Sequence, residues 1–244
     1  MDASAVVPGH FHSPLKVVLS TIAGFWLLGA TPLEGQLQSV PTYSFSAWLP
    51  GLTIGAEYGR DFKSAEALAH HVGLRGYYRI GRFGVGGAAG FRSAGTGSHL
   101  QLGGSGAVRL WSPLGERGAL TLETGIGYLE SGTAAQAATY LSVPVVLSLG
   151  LGEFAVGDRK LRPWVAARVQ ASRVKFARAL LNQYGMGASA GMAVDLVGPA
   201  GLHLAADVSR RGERRLQGAV LFGGTRFTLG VGVYGNFRLG GQGG

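Results

Sequence analysis

Residues 226–239, RFTLGVGVYGNFRL, alternate without a break. Odd positions carry Phe227, Leu229, Val231, Val233, Gly235, Phe237 and Leu239; even positions carry Arg226, Thr228, Gly230, Gly232, Tyr234, Asn236 and Arg238. Successive side chains of a strand point to opposite faces, so this pattern predicts one long β-strand, apolar on one side and polar on the other. Strands of soluble proteins mostly run about 5–6 residues. A strand that crosses a bilayer needs about 9–11. The same split recurs at 139–151, 161–172, 186–196 and 201–209, and again at 52–59, 72–80, 82–92, 99–111 and 119–130, which makes about ten segments.

The connections sort by length. Short turns fall at Gly81, 112–118, 157–160 and 198–200, and longer loops at 61–71, 93–98, 131–137, 174–185 and 210–224. Short and long alternate along the chain, as in an up-and-down antiparallel barrel with turns at one rim and loops at the other. The stretch SAEALAHH (64–71) reads as a helical turn within the first long loop. Its His70 and His71 are adjacent and diverge on either a helix or a strand. With no third ligand in view, no metal site is expected there.

Which face points outward decides the environment. A soluble surface carries about 25–35% charged residues, whereas the whole chain has 14%. The apolar faces of the central strand stretches hold no charge, and the polar faces are mostly Gly, Ala, Ser and Thr. Trp48, Tyr58, Tyr78, Phe83, Phe91, Tyr128, Phe227 and Phe237 lie near the ends of apolar faces, like the aromatic girdles of a membrane barrel. Residues 17–30, VVLSTIAGFWLLGA, form a short apolar run behind Lys16, with cleavage expected between Ala30 and Gln36, the pattern of a secretory signal peptide. The expected organisation is a signal peptide at 1–36, a short periplasmic segment at 37–45, a barrel at 46–239 and a Gly-rich tail at 240–244. No run after residue 40 reaches 18 apolar residues, so no transmembrane helix is expected in the mature chain. The chain has no cysteine, which excludes disulfides, thiolate metal sites and a lipid-modified cysteine. Its formal net charge of +9 is spread along the chain without a dense cluster or a nucleic-acid motif, so nucleic-acid binding is not expected.

Over 46–239 the alternating strands, the order of turns and loops and the aromatic near the C-terminus resemble the small bacterial outer-membrane β-barrel proteins, the OmpA/OmpX/OmpW-like group. The last strand is similar to that group's C-terminal assembly signal, although Phe237 is followed by Arg238, Leu239 and GGQGG. The resemblance implies an all-β, closed transmembrane barrel in the outer membrane, with an even number of strands. Ten is the count here and eight the alternative. It also implies contact with outer-membrane lipid, and with the barrel-assembly machinery during biogenesis.

With lipid outside, the polar faces line a lumen. They hold Glu57, Arg75, Arg79, Arg92, Arg109, Glu123, Arg162, Arg168, Asp195, His203 and Asp207, together with Tyr77, Gln101 and Tyr234. Buried charges are normally paired, so each acid should find an arginine across the barrel. One reading is a structural network that fills a narrow interior. Another is a narrow, porin-like channel whose basic lumen passes small anions or solutes. The loops are a second surface: Lys175, Arg178, Arg210, Arg211, Arg214 and Arg215 would meet the phosphates of lipopolysaccharide, and Phe176, Leu180, Leu181 and Tyr184 could cap the barrel or meet a partner.

Enzymatic chemistry is not expected. The best constellation is His203 and Asp207 on one strand with Ser189 and Asp195 on the one before. Residues i and i+4 on a strand lie about 13 Å apart, too far to bond. No cofactor is indicated. The stretch RFGVGGAAGF (82–91) contains Gly84-x-Gly86-x-x-Ala89, the letters of a dinucleotide-binding turn. That turn needs a helix opening at the glycines and an acid about 20 residues on. Residues 100–111 contain no Asp or Glu, and the glycines continue the strand pattern, so no nucleotide is expected. Here they would keep a narrow, curved interior from overfilling. The functional reading is a non-enzymatic outer-membrane barrel with a structural or surface-interaction role through its extracellular loops. The alternatives are a narrow channel and a secreted soluble barrel.

Overall fold

A computed structural model describes residues 49–64, 68–94, 97–112, 118–131, 138–176, 179–216 and 219–238. The expected signal peptide at 1–36, the segment 37–45, the tail 240–244, Trp48 and Arg178 lie outside the described residues. The described chain is all strand: β1 (Gly51–Ser64), β2 (Ala69–Ile80), β3 (Phe83–Ala94), β4 (Gly97–Trp111), β5 (Ala119–Ser131), β6 (Ala138–Gly150), β7 (Phe154–Val156), β8 (Arg159–Phe176), β9 (Ala179–Asp195), β10 (Ala200–Leu216) and β11 (Ala219–Phe237). Each long strand pairs antiparallel with the next, β6 pairs with β8, and β1 pairs with β11. The sheet therefore closes as a ten-stranded up-and-down barrel. The three-residue β7 takes the edge of β8 that β6 leaves at Gly150, and turns back into β8.

Glycine sets the tight turns at one rim. Gly81 and Gly157 have φ of 56° and 57°, each in a two-residue loop flanked by the pairs Ile80↔Phe83 and Val156↔Arg159. Positive φ in such loops follows the right-handed twist of the strands and costs glycine no Cβ clash.

At the other rim the strands run on where loops are expected. Residues 174–176 pair with 179–181, as in Val174↔Leu181, and β10 and β11 still pair at Arg215↔Val220. Most of 174–185 and 210–224 is therefore strand, not loop. The physical reason is a change of solvent along one hairpin. Beyond the apolar band the outward face meets water, so alternation fades while the backbone ladder continues. The expected helical turn at 64–71 is also replaced: Ser64 ends β1, Ala69–His71 open β2, and 65–67 lie outside the described residues.

The core lies inside the barrel in two clusters. One, toward the tight turns, joins Tyr77, Trp164, Tyr234, Val146 and Leu49 with inward alanines. The other, toward the long hairpins, joins Leu129, Ala138, Tyr140 and Val174. The large rings lie flat on glycines of neighbouring strands. A Cβ on Gly84 would sit 2.4 Å from Tyr77 Oη, one on Gly86 2.3 Å from Tyr77 Cδ2, and one on Gly191 2.5 Å from Trp164 Cζ2. A buried aromatic ring removes roughly 150–250 Å² from water, about 4–6 kcal/mol at about 25 cal/mol per Å². The glycines make room for that burial in a lumen too narrow for two facing side chains.

One seam is thinner than the rest. The β5–β6 register stops at Thr124↔Val145 and resumes at Gly127↔Ser142. Between them Pro144, which has no N–H to donate, accepts a bond from Thr124 Oγ1 at 2.9 Å.

Candidate functional site

The two faces have opposite chemistry. Outward residues are apolar and bare: Leu74 is 64% exposed, Val85 63%, Met186 67% and Val233 53%. Inward residues are polar and sealed: Gln101 and Ser148 are 0% exposed, and Glu57 4%. That is the inverse of a soluble barrel and the arrangement that suits lipid, with an apolar outward face and a strand ladder closed on itself. Of the residues expected in the girdles, Tyr58, Phe83, Phe91, Phe227 and Phe237 are exposed on the outward face, and Tyr78 and Tyr128 are half-buried there. Phe62 joins them, 6.4 Å from Phe227 between ring centroids, with the Arg60 guanidinium 5.5 Å above its own ring.

The charged residues expected in the lumen all lie on the inward face, held there by strand parity. Glu57 pairs with Arg75 at 3.5 Å, Asp195 with Arg162 at 2.5 Å, and Asp207 with Arg168 at 3.0 Å. These partners stand on the next strand or the next but one. The pairing runs along the wall and not across the barrel as expected, because rings occupy the centre. Arg168 reaches Asp207 by passing over Gly187, whose Cβ would meet the guanidinium at 3.0 Å. Ser189 donates to Asp207 at 2.6 Å and Tyr234 to Asp195 at 2.6 Å. His203 stacks on Tyr234, with ring centroids 6.0 Å apart and planes 23° apart. Glu123, Arg79 and Arg92 are buried and Arg109 is half-buried. Arg75, Tyr77, Ser105 and Glu123 border a small gap against the glycine-rich wall of β3 and β4.

One cluster was not anticipated. Asp61 is 1% exposed, accepts a hydrogen bond from Thr228 Oγ1 at 2.7 Å and lies in ion-pair range of Arg226 at 3.4 Å and Arg92 at 3.8 Å. Assigning 61–71 to a loop hid it; the parity Glu57, Gly59, Asp61 carried the signal. His70 and His71 do diverge. His70 is exposed and bonded through Nδ1 to the Tyr58 hydroxyl at 2.5 Å, while His71 faces inward at 1% exposure. Among the described residues no three His, Asp or Glu side chains are grouped to hold a metal.

Of the basic residues expected in loops, Lys175 lies on β8 and Arg210, Arg211, Arg214 and Arg215 on β10, so the patch is carried by strands. Lys175 and Arg210 are exposed on outward faces, and Arg211 is half-buried on the inward row. At the tight-turn rim Glu153, between β6 and β7, takes Lys160 and Arg162 at 2.9 Å each. Its partial burial alone would push the carboxyl up, but the hydrogen bonds from Lys160 and Arg162 outweigh it and hold the group below the ordinary carboxylate value.

No family model matches the chain, and no curated protein matches it. Solved structures resemble it in architecture. Neisserial surface protein A is 12% identical with a TM-score of 0.37, covering 76% of this chain and 96% of that one. The COG4313 outer membrane channel from Pseudomonas putida F1 is 11% identical with a TM-score of 0.44, covering 84% and 100%. The outer membrane protease OmpT from Escherichia coli is 9% identical with a TM-score of 0.42, covering 77% and 94%. Closure, inverted polarity and outward aromatics in the chain's own geometry make its fold that of a ten-stranded transmembrane-type β-barrel.

Proposed function

We propose that the protein is an integral outer-membrane barrel with a closed lumen, non-enzymatic and non-conducting, whose function lies at its rims. The observation that carries this reading is the sealing of the interior. Trp164 is 1% exposed, Tyr77 3%, Tyr234 5%, and Val146 and Gln101 0%. A continuous water column would leave such groups wet. The paired acids and arginines then serve to fill and stiffen the wall, since buried charges are tolerated when paired and hydrogen-bonded.

The long hairpins of β8–β11 are the working surface under this reading. Lys175 and Arg210 point outward from them, so they are suited to the phosphates of lipopolysaccharide in the outer leaflet. Planar-bilayer recording on the purified protein tests the closed lumen. The expected trace has no unitary steps. Reproducible steps whose ion preference shifts in Arg75→Gln or Arg168→Gln would establish a channel instead.

A further inference from the structure

One carbonyl of the barrel wall has no donor in the strand ladder. The β5–β6 register runs through Thr124↔Val145 and Gly127↔Ser142, which sets Gly125 opposite Pro144. Ser142 Oγ donates to Gly127 O at 3.4 Å, so the Gly127 carbonyl points at β6. Carbonyl direction repeats every second residue of a strand. The Gly125 carbonyl therefore also points at β6 and meets the nitrogen of Pro144, which carries no hydrogen. Gly125 is the middle residue of β5 (Ala119–Ser131). Hydrocarbon outside the wall offers no donor there. Thr124, exposed on the outward face, spends its one hydroxyl hydrogen on Pro144 O at 2.9 Å. Buried main-chain carbonyls of native structures are bonded to protein or to ordered water, so the donor for Gly125 must come from the lumen.

The lumen has room for one. A cavity of ≈ 10 Å³ lies against Ser105, Glu123 and Arg75. Ser105 is the partner of Gly125 on β4, and Glu123 precedes Gly125 by two residues on the same inward row. Gly125 has no side chain to fill the space between them, and both Gly125 and Ser105 are half-buried. Gly86, Gly103 and Gly104 give bare main chain to the same cavity. A space of about 10–15 Å³ holds one water when two to four polar partners surround it.

The lining selects the occupant. An anion would face the Glu123 carboxylate and the Gly125 carbonyl, both acceptors. A bare cation would stand beside the Arg75 guanidinium. A water donates two hydrogens and accepts in return, which matches a carboxylate, a carbonyl and a hydroxyl. We propose that the cavity holds one ordered water. It donates to Gly125 O and to the Glu123 carboxylate, accepts from Ser105 Oγ, and replaces on the lumen side the ladder bond that Pro144 cannot make.

A high-resolution crystal structure of the purified protein tests this. The expected result is a single solvent peak within hydrogen-bond distance of Gly125 O and Ser105 Oγ, without anomalous signal in crystals grown in rubidium bromide. Pro144→Ala supplies an N–H to Gly125 O, so positions 125 and 144 should become a regular ladder pair and the water should lose that contact. Ser105→Val fills the cavity, and the peak should vanish. In detergent micelles the same water should give nuclear Overhauser cross-peaks to the Gly125 amide, lost in Ser105→Val; this measurement on the unaltered protein decides the matter should a variant not fold. An empty cavity beside other ordered interior waters, an anomalous peak within it, or a water contact to Gly125 O unchanged in Pro144→Ala would overturn the proposal. Conductance steps beside an intact isolated peak would refute the closed lumen and leave the water site standing.

Discussion

Gly84 and Gly86, the glycines of the dinucleotide-like stretch, give the most direct test of how the interior is packed. In Gly84→Ala the new methyl would lie 2.4, 2.5 and 2.8 Å from Tyr77 Oη, Cε1 and Cζ, with no backbone atom among the three nearest neighbours. Carbon contacts settle at about 3.5–4.0 Å, so the ring must retreat by about 1 Å. It cannot slide toward Gly86, which it already touches, and at 3% exposure it is buried, with only the small gap shared with Arg75, Ser105 and Glu123 beside it. Overpacking of this kind costs about 1–3 kcal/mol. Against it, alanine in a strand whose φ it can adopt restricts the unfolded chain and contributes about 0.4–1 kcal/mol. Gly84 is not among the positive-φ glycines, so that gain is available. Gly84→Ala should therefore destabilise by about 1 kcal/mol, from the midpoints of those ranges. In a Tyr77→Leu background only the entropic gain survives, and the same change should stabilise by about 0.5 kcal/mol. The assay is reversible urea unfolding in lipid vesicles on the four chains of the cycle, followed by tryptophan fluorescence and by heat-modifiable gel migration. The sign reversal is the decisive feature. If Gly84→Ala has the same effect in both backgrounds, the glycines are not there to receive the ring.

Arg168→Met should cost about 3–5 kcal/mol, because it leaves Asp207 buried with only Ser189. Arg168→Met with Asp207→Leu should recover most of that loss in the same unfolding assay, and no recovery would show that the pair is not coupled. Glu153 has its carboxyl held below its ordinary value of 4.5. Its contribution to anchoring β7 is present above that pH and fades as pH falls through the lowered value. Hydrogen exchange across 154–161 should accelerate between pH 5 and pH 3 beyond the intrinsic rate, and Glu153→Gln should remove the difference. Lys175→Gln with Arg210→Gln should weaken binding of bis-phosphorylated lipid A several-fold and leave binding of its dephosphorylated form unchanged; equal affinities for both would discard the rim as a phosphate surface.

Much of the barrel is legible in residue parity alone. The alternation at 226–239 sets the inward and outward rows of β11, and the same reading puts Glu57, Arg75, Arg162 and Asp207 in the lumen. Parity requires nothing beyond the two-residue repeat of a strand. What it cannot supply is reach. An arginine spans about two strands, so its partner depends on shear and on which neighbour is a glycine, as with Arg168 over Gly187. Asp61 and the long hairpins escape for another reason: the apolar half of the pattern exists only where lipid enforces it. Arg210 and Lys175 sit on strands whose outward faces are polar, and composition there looks the same as that of a loop.

The β1–β11 junction has a consequence for the order of events during synthesis. Its contacts join residues 167 and 183 positions apart, Thr228 with Asp61 and Asn236 with Thr53. The other junctions between barrel strands are local in sequence and can form as each strand emerges. Until residues 226–237 exist, β1 has no partner along its outer edge. An open edge in hydrocarbon leaves a row of unbonded amides and carbonyls, each costing several kcal/mol. A chain stopped short of its last strand therefore has no stable resting place in the membrane, and stable insertion requires residues 226–237. The first strand carries the lock and the last one the key, so residues 226–237 decide whether the barrel can close.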